Sequence, residues 1–490
     1  PSAKKSRAGD LGGVEAYFIE DVVEWKEKYE QHKADKKKAR QIDNSKSGIN
    51  IESAGESKSA GRSELNRSRH IVLVAMNQTG LNNIFKMVTE SHKGDYFYRK
   101  PRIDLALLEK YGEGVIASSA CLGGIYAGAY WSKIEEGEEA VLEEMRRLTK
   151  RFQEVLGDRW YGELQWNRVP QQHALNKYVI QMHKEFDMKL ISTADSHYPT
   201  PDAWKDRELY KRLGWLGRSK PEWLDMELPT EIQELECELF PKNAEQMWES
   251  YHRFAEECET EYDDDIVLQS IKETETIGFE LIEDFIPDST VRLPDFVVPA
   301  GYTDDEYLEH LTHKKMTYTK HQNDKVYRDR LAQELKVIAD RGFSKYFLTM
   351  AAISDKASQM MLAGPGRGSA AGSLVAYLLE ITQVDPIKYG LLFSRFLRAD
   401  AKDYPDIDYD VANPMDLKDL LIQEWGENSV APISNWNTLQ LKSLIKDVSK
   451  FYKIEFKEVN VVTSRMISEA TPLAKKKHGI KAGMYIPTWE

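Results

Sequence analysis

The sequence predicts an α/β protein that is built from more than one domain. Between about residues 70 and 200, short apolar runs alternate with segments of helical periodicity, a pattern typical of βα units and a mainly parallel sheet or barrel. The chain has 490 residues, which is enough for two to four domains with hydrophobic cores of their own. Prolines in the stretch IPDSTVRLPDFVVPAG indicate a boundary after this α/β region.

The strand-like runs follow one another along the first half of the chain. They are HIVLVAMN, GVIASSAC, WYGELQWN and KLISTADSHY, separated by the helical segments LNNIFKMVTESHK, EEAVLEEMRRLTKRFQEVLG and HALNKYVIQMHKEFD. Cys121 ends the second run, and Asp195 and His197 lie at the end of the fourth. Because chemistry gathers at the carboxyl ends of strands in such folds, these three residues are candidates for a functional site.

A polar stretch at about residues 25–69 precedes the alternating region. It is rich in Lys, Ser and Glu, and it contains ADKKKAR and SAGESKSAGRS. Such a composition offers too little apolar surface to form a core. We therefore interpret it as a flexible insertion rather than as a domain.

Composition and charge exclude several classes of protein. Three cysteines are too few for a disulfide scaffold, no apolar stretch approaches the length of a membrane span, and no secretory signal opens the sequence. We therefore expect a cytoplasmic protein without a membrane partner. The net charge is −13, but nucleic-acid binding depends on where charge lies, so the sum does not exclude such a partner.

A glycine-rich stretch, GPGRGSAAGS at 364–373, is followed directly by the apolar run LVAYLLEIT. It lacks the Gly-Lys-Ser/Thr ending of a Walker A loop, and no strand-like run precedes it. Glycines let backbone N–H groups approach an anion, Ser369 is a candidate helix cap, and Arg367 adds donors suited to phosphate. We predict a helix over 367–380 whose N-terminus binds phosphate; on local sequence alone a plain flexible loop is an equal alternative.

A row of carboxylates follows in YPDIDYD. Alternate residues of an extended strand share one face, so Asp406, Asp408 and Asp410 are expected on one side, with Ile407 and Tyr409 on the other. Carboxylates packed this closely repel one another unless cations neutralise them, and Mg²⁺ held by few carboxylates and by substrate phosphates fits. The alternative is a surface turn rich in Asp.

Four motifs in this part of the chain carry a specific resemblance. They are Gly-Arg-Gly-Ser, Val-Asp-Pro, Phe-Ser-Arg-Phe-Leu and Pro-Asp-Ile-Asp-Tyr-Asp, and in this order they resemble the palm of C-family DNA polymerases, the family of the bacterial DNA polymerase III alpha subunit. NTLQLKSLIKDV resembles the passage from palm to thumb in phage-encoded members, and the N-terminal half is similar to the PHP (polymerase and histidinol phosphatase) domain. The resemblance implies a partial PHP (β/α) barrel over 1–270, a polymerase-beta-like nucleotidyltransferase palm over 271–438 and an incomplete helical thumb over 439–490.

The same resemblance implies roles in the palm. It makes Asp406 and Asp408 the catalytic ligands of two Mg²⁺ ions. The nucleotide-binding residues that it implies are Gly366, Arg367, Gly368, Ser369, Arg395, Lys442 and Lys446. Asp410 matches no essential position, because the family carries its third carboxylate on a later strand, which lies beyond residue 490. The 490 residues alone are therefore expected to be inactive if they stand by themselves.

In the PHP region the resemblance implies a metal site with mixed N, O and S ligands, which suit Zn²⁺ or Mn²⁺. The matching positions are Glu15, His70, Cys121, Asp195 and His197. Taken singly, Cys121 is more typical of a buried apolar residue and His197 of a loop. The family's His-x-His strand is missing upstream of Glu15, so we expect a partial site that binds zinc weakly at most.

Our first hypothesis is a template-directed DNA polymerase that transfers nucleotides from dNTPs to a primer 3′-hydroxyl with two metal ions. The implied partners are primer–template DNA, dNTPs, and a sliding clamp with other replisome subunits, in a bacterial or phage-infected cell. One alternative is a PHP-type metal-dependent 3′–5′ exonuclease or phosphoesterase. Another is a non-catalytic fragment whose PHP barrel only supports the palm or a partner.

Overall fold

The computed structural model describes residues 11–46, 68–214, 231–232, 235–285, 287–288, 296–398, 405–431, 433 and 441–478. The chain divides into two compact units. The first consists of residues 1–288 together with 439–490, and the second of residues 289–438. The α/β class predicted from the sequence is confirmed.

Seven strands of the first unit form one sheet. They are β1 (Gly13–Phe18), β2 (Arg69–Ala75), β3 (Phe97–Tyr98), β4 (Lys100–Ile103), β5 (Val115–Ser118), β6 (Trp160–Gln165) and β7 (Lys189–Thr193). Their order across the sheet is β3-β4-β1-β2-β5-β6-β7. Strands β5, β6 and β7 run parallel, as the alternating pattern predicts.

The prediction of a mainly parallel sheet is wrong at β2. This strand runs antiparallel to both of its neighbours, β1 and β5, with Glu15 opposite Val72. The apolar run HIVLVAMN carries no signal of direction, because an apolar strand looks alike in either orientation. The consequence is that the carboxyl end of β1 lies beside the amino end of β2, where Tyr17 is opposite His70.

Helices pack against the sheet of the first unit and against one another. In the first unit they are α1 (Val22–Lys46), α2 (Gln78–Ser91), α3 (Leu105–Tyr111), α4 (Ile125–Lys133), α5 (Glu138–Leu156), α6 (Pro170–Phe186), α7 (Trp204–Gly214), α8 (Ala244–Glu257) and α9 (Asp264–Thr276). The apolar stripe of α5 shows how they pack: Phe152 is fully buried and stacks on Trp160 of β6, with ring centroids 4.0 Å apart. Burial of a side chain of this size contributes about 1.5–3 kcal/mol.

The interpretation of residues 25–69 as a flexible insertion is wrong for the first part of that stretch, because α1 extends to Lys46. Asp21 starts the helix by accepting from the N–H groups of Val23 and Glu24, at 2.8 and 2.9 Å. Trp25 and Tyr29 then pack on each other and on Tyr98. A polar composition therefore hid a helix whose first turns are anchored by aromatic contacts, by the ion pair of Lys26 with Asp95 and by the bond from the N–H of Val22 to Asp104. Residues 47–67 of the expected insertion lie outside the described residues.

The second unit is helical in its described part. Its helices are α10 (Asp304–Thr317), α11 (Lys325–Asp340), α12 (Ser344–Met360), α13 (Leu374–Leu378) and α14 (Pro414–Trp425). Their core includes Leu331, Phe347, Leu374 and Val375, all of which are buried. Among the described residues of this unit, pairing of extended backbone is limited to one antiparallel bridge, between Ala363 and Val411.

Helices α15 (Leu441–Phe451) and α16 (Phe456–His478) follow, pack against each other, and belong to the first unit. The described part of α15 also contacts α7. No helix in the described residues is long and apolar enough to cross a membrane.

Candidate active site

The glycine-rich stretch and the carboxylate segment lie side by side in the second unit, although about forty residues separate them. The N–H of Gly364 donates to the carbonyl of Asp410 at 2.9 Å, and the N–H of Ala412 donates to the carbonyl of Leu362 at 3.0 Å. These two bonds flank the bridge between Ala363 and Val411. The backbone itself therefore brings the two motifs together.

Alternate residues of the carboxylate segment, YPDIDYD, lie on opposite sides, as the sequence predicts, and the structure places one side towards the core and the other in solvent. Ile407 is buried and Tyr409 half-buried, whereas Asp406, Asp408 and Asp410 are exposed. The segment is extended but is not part of a sheet in the described residues, which differs from the predicted strand. The carboxylates nevertheless share one side because the core holds both residues between them.

Helix α12 fixes the buried side of this segment. The hydroxyl of Tyr346 accepts from the N–H of Ile407 at 3.3 Å. The hydroxyls of Ser354 and Tyr409 are hydrogen-bonded at 3.0 Å. Two side chains from one helix thus hold the two inward-facing residues, and these contacts set the position of the carboxylates on the outer side.

Gly368 brings the glycine-rich stretch at 364–373, called the glycine loop below, directly against Asp408. Its φ is +66°, a conformation that favours glycine. A Cβ at this position would lie 3.1 Å from Cγ of Asp408 and would overlap Oδ2 of the same carboxylate. Glycine at 368 is therefore required both by the backbone conformation and by the closeness of the carboxylate.

Arg367 pairs with the third carboxylate of the row. Its Nη1 lies 3.1 Å from Oδ1 of Asp410, and about half or more of each side chain is exposed. The hydrogen bond to Asp410 and the charges of Asp410 and Asp408 raise the pKa of the guanidinium above its ordinary value. An exposed pair of this kind is weak, so its partners can exchange with another anion.

The predicted single helix over 367–380 is wrong. Ser369–Gly372 form a 3-10 turn, and α13 begins only at Leu374. The cap of α13 is Ser373, whose hydroxyl accepts from the N–H of Ala376 at 3.1 Å, and not Ser369. The first N–H groups of α13 are not open to phosphate either, because those of Leu374 and Val375 both donate to Glu334 at 3.0 Å.

The other predicted nucleotide contacts are spread over both units. Arg395 is exposed and ends a 3-10 turn, Phe393–Arg395, that packs against the Ser369–Gly372 turn. Lys446 lies on α15 of the first unit, where its Nζ donates to Oδ1 of Asn460 at 2.7 Å. Lys442 lies one turn earlier on α15, and its side chain is outside the described part of the structure.

The first unit brings three of the predicted metal ligands together. Nδ1 of His70 lies 2.9 Å from Oε1 of Glu15 and 3.7 Å from Sγ of Cys121. The contacts with Cys121 and Glu15 raise the pKa of His70 to about 10, and the bond to His70 lowers the pKa of Glu15. The sulfur of Cys121 also accepts from the N–H of Gly123 at 3.4 Å.

The other two predicted ligands lie at the end of β7. Nδ1 of His197 donates to the carbonyl of Asp195 at 2.6 Å and lies 3.8 Å from its Oδ1. Burial raises the pKa of Asp195, and His197 is close enough to lower the pKa of Glu15. Even so, the described residues contain no group of three or more His, Cys, Asp or Glu side chains that could hold a metal ion. The side chains as placed therefore do not fit a zinc or manganese centre.

Sequence reasoning missed the residues that support the glycine loop from inside, Arg330 and Glu334 of α11. Their signal was present in DRLAQELKVIADRG, where Glu334 shares a helix face with Tyr327, Leu331 and Ile338, all of which are buried. A charged residue on an apolar face indicates a buried partner, although not which one.

The match to known families agrees with this architecture. Residues 10–167 match the model of the PHP domain. Residues 306–483 match the model described as the bacterial DNA polymerase III alpha NTPase domain. The glycine loop and the carboxylate row both lie within the second match. An α/β PHP region followed by this motif-bearing region defines the class: the chain is a C-family polymerase sequence.

Comparison with individual proteins narrows the class. The chain is 35% identical over 398 residues to the DNA polymerase III subunit alpha of Aquifex aeolicus, which covers 78% of this chain and 32% of that protein. It is 33% identical over 409 residues to that of Borreliella burgdorferi, covering 81% and 32%. The Thermus aquaticus protein is 27% identical over 455 residues, covering 79% and 35%. The chain belongs to the DNA polymerase III alpha subunit family, and it spans about a third of the length of these relatives.

Proposed function

We propose that this chain forms part of a template-directed DNA polymerase, which adds nucleotides from dNTPs to the 3′-hydroxyl of a primer. The observation that carries the proposal is the contact between the glycine loop and the carboxylate row, in which Gly368 lies against Asp408. Phosphoryl transfer needs mainly positioning and neutralisation of charge. A phosphate-binding loop beside exposed carboxylates supplies both.

The carboxylates suit magnesium by their chemistry. Asp406 and Asp408 are exposed oxygen donors on one side of the segment, and Mg²⁺ is commonly held by one or two carboxylates, with phosphates and water completing its shell. We propose that these two residues hold the two Mg²⁺ ions. When bound, the ions lower the pKa of the primer hydroxyl and stabilise charge on the leaving pyrophosphate.

The residues of the loop then bind the triphosphate. Arg367 exchanges Asp410 for a phosphate oxygen, because a phosphate carries more charge than the carboxylate and matches the guanidinium fork. The backbone N–H groups at Gly366, Gly368 and Ser369 face the same anion, upstream of α13. We assign Arg395 to a further phosphate contact, since its 3-10 turn packs against the loop.

The wider assignments follow from the family. We propose residues 1–270 as a PHP domain, 271–438 as a palm and 439–490 as the start of a thumb, with Lys442 and Lys446 facing nucleotide or template. The partners are primer–template DNA, dNTPs and, through other parts of the protein, a sliding clamp and replisome subunits. We do not advance the PHP-type nuclease alternative, because no observation in the described residues favours it.

Primer extension by the full-length protein tests this proposal. Asp406→Asn and Asp408→Asn each remove one negative oxygen ligand and keep the side chain's shape, so either should abolish extension through kcat. Folding should survive, since each change removes like-charge repulsion. Asp410→Asn is the matched variant from the same row and should cost less than either. Near-normal kcat in Asp408→Asn together with an inactive Asp410→Asn would show that we have assigned the metal ligands one strand repeat too early in the chain.

A further inference from the structure

A carboxylate sits at the centre of the second unit. The side chain of Glu334, on α11, is fully buried. Its Oε1 accepts from Nε of Arg330 at 2.6 Å and from the N–H of Leu374 at 3.0 Å. Its Oε2 accepts from the hydroxyl of Ser373 at 2.9 Å and from the N–H of Val375 at 3.0 Å. All four contacts are donors, so they favour the charged carboxylate.

Arg330 extends this network to the other side of the glycine loop. Its Nη2 donates to the carbonyl of Gly372 at 2.7 Å and to that of Leu391 at 3.2 Å. The first carbonyl ends the 3-10 turn, and the second directly precedes the segment that carries Arg395. One arginine therefore ties two of the motif-bearing segments to α11, in addition to its bond with Glu334.

Stability alone is a poor explanation for this pair. Removing two charges from water is costly, and well-packed apolar residues of similar volume often stabilise a protein as well or better. Burial raises the pKa of Glu334, against the opposing effect of its donors, which shows that the cost is present here. An apolar pair could not fix the directions of two N–H groups, one hydroxyl and two carbonyls at the same time.

Together, these contacts define the downstream end of the glycine loop. The upstream end is fixed by the bond between the N–H of Gly364 and the carbonyl of Asp410. Between the two anchors lie Gly366, Arg367, Gly368 and Ser369, which carry positive φ angles at the two glycines. The internal carboxylate occupies the N-terminus of α13, so a phosphate is directed to the stretch between the anchors.

We propose that Arg330 and Glu334 are positioning residues, which hold the glycine loop in the shape that receives the dNTP triphosphate without touching it. This inference rests on the proposed function, which it deepens. Loss of the pair should weaken nucleotide binding, because the loop must then be ordered at the expense of binding energy. It should leave the carboxylate row unchanged, because that row is anchored separately by Tyr346 and Ser354 of α12.

Two variants test the pair. Glu334→Gln keeps the volume but turns one acceptor into a donor that faces donors. Arg330→Lys keeps the charge but loses the fork that reaches the carbonyls of Gly372 and Leu391. Should Glu334→Gln fail to fold, Arg330→Lys carries the test. The control is Ser344→Ala, which removes a partly buried hydrogen bond of the same unit, from Oγ of Ser344 to Oδ1 of Asp305 at 2.6 Å.

Two readouts separate positioning from stability in the full-length protein: the Kd of a dNTP with Mg²⁺ by calorimetry, and the KM and kcat of single-nucleotide extension. We expect Kd and KM to rise about tenfold or more in either pair variant, with kcat within about threefold of the unsubstituted protein. Ser344→Ala should lower Tm and leave both constants unchanged. An unchanged Kd in a pair variant that is as destabilised as Ser344→Ala would overturn the inference.

The two proposals fail in different ways. If the unsubstituted protein binds dNTP but extends no primer, the proposed function fails, and a weakened Kd in Glu334→Gln still supports the inference. If extension proceeds normally and neither variant changes Kd or KM, the proposed function stands and the positioning role of the pair is refuted.

Discussion

A comparison of Gly368 with Gly390 tests whether the close approach of the glycine loop to Asp408 matters for the reaction. Both lie in the second unit with a positive φ, +66° and +64°, and Gly368 has a ψ of −157°, a combination that is open almost only to glycine. A Cβ at Gly390 would meet nothing within 4 Å, whereas one at Gly368 would lie 3.1 Å from Cγ of Asp408 and overlap its Oδ2. Alanine is therefore strained at either position, but only alanine at 368 disturbs the carboxylate.

The magnitudes follow from these contacts. Placing alanine at a strained positive-φ position costs about 1–3 kcal/mol, or roughly 2–12 °C in the Tm of a unit of this size. The clash at 368 falls on the end of an exposed side chain, which can rotate away, so it adds little to that cost. The rotation does displace a metal ligand, and a displacement of about 1 Å can lower a rate by about 10²-fold.

The assay is single-turnover extension of a labelled primer by the full-length protein, beside thermal denaturation of each variant. We expect both Gly368→Ala and Gly390→Ala to lose stability, and only Gly368→Ala to lose kcat, by about 10²-fold. Equal kcat in the two variants at saturating dNTP would refute the reasoning, because it would show that the position of Asp408 against the loop does not matter to the reaction.

Other predictions concern Arg367 and the cluster in the first unit. Arg367→Ala should raise the KM for dNTP about tenfold or more, equivalent to about 1.4 kcal/mol, and unchanged nucleotide kinetics would remove Arg367 from the binding site. Metal analysis of the purified protein after dialysis should find at most weakly held zinc, because the described residues contain no group of three or more such side chains placed to hold a metal ion. Stoichiometric zinc that is lost in Asp195→Ala would contradict this prediction.

The features that the sequence predicted depend on neighbouring residues, whereas those that it did not predict depend on residues far apart in the chain. Alternation along five residues was enough to predict that Asp406, Asp408 and Asp410 lie on one side and Ile407 and Tyr409 on the other, since this depends only on the period of an extended chain. The predicted helix over 367–380 was wrong because its first turn is organised by Glu334, about forty residues upstream. No local pattern encodes such a partner.

The direction of β2 and the packing of α1 could not be predicted, for related reasons. The strand at 69–75 was predicted from its apolar composition, but its antiparallel pairing with both neighbours depends on the path of the chain around it. Helix α1 was missed because its polar composition resembles that of a disordered segment, and the contacts that anchor it, with Tyr98, Asp95 and Asp104, come from residues far along the chain. In the candidate metal cluster, residue types matched a family pattern while the side-chain geometry did not.

The bonds that join the glycine loop to the carboxylate row are made by main-chain atoms of Leu362, Gly364, Asp410 and Ala412. Main-chain atoms are the same in nearly every residue, so the junction itself places little restriction on which side chains occur there. Over evolutionary time the amino acids at positions 362 and 412 can therefore drift, as long as proline does not remove the amide of Gly364 or Ala412. The restraint on drift falls instead on the residues that project from the junction, so this pairing can persist in lineages whose sequences around it have diverged.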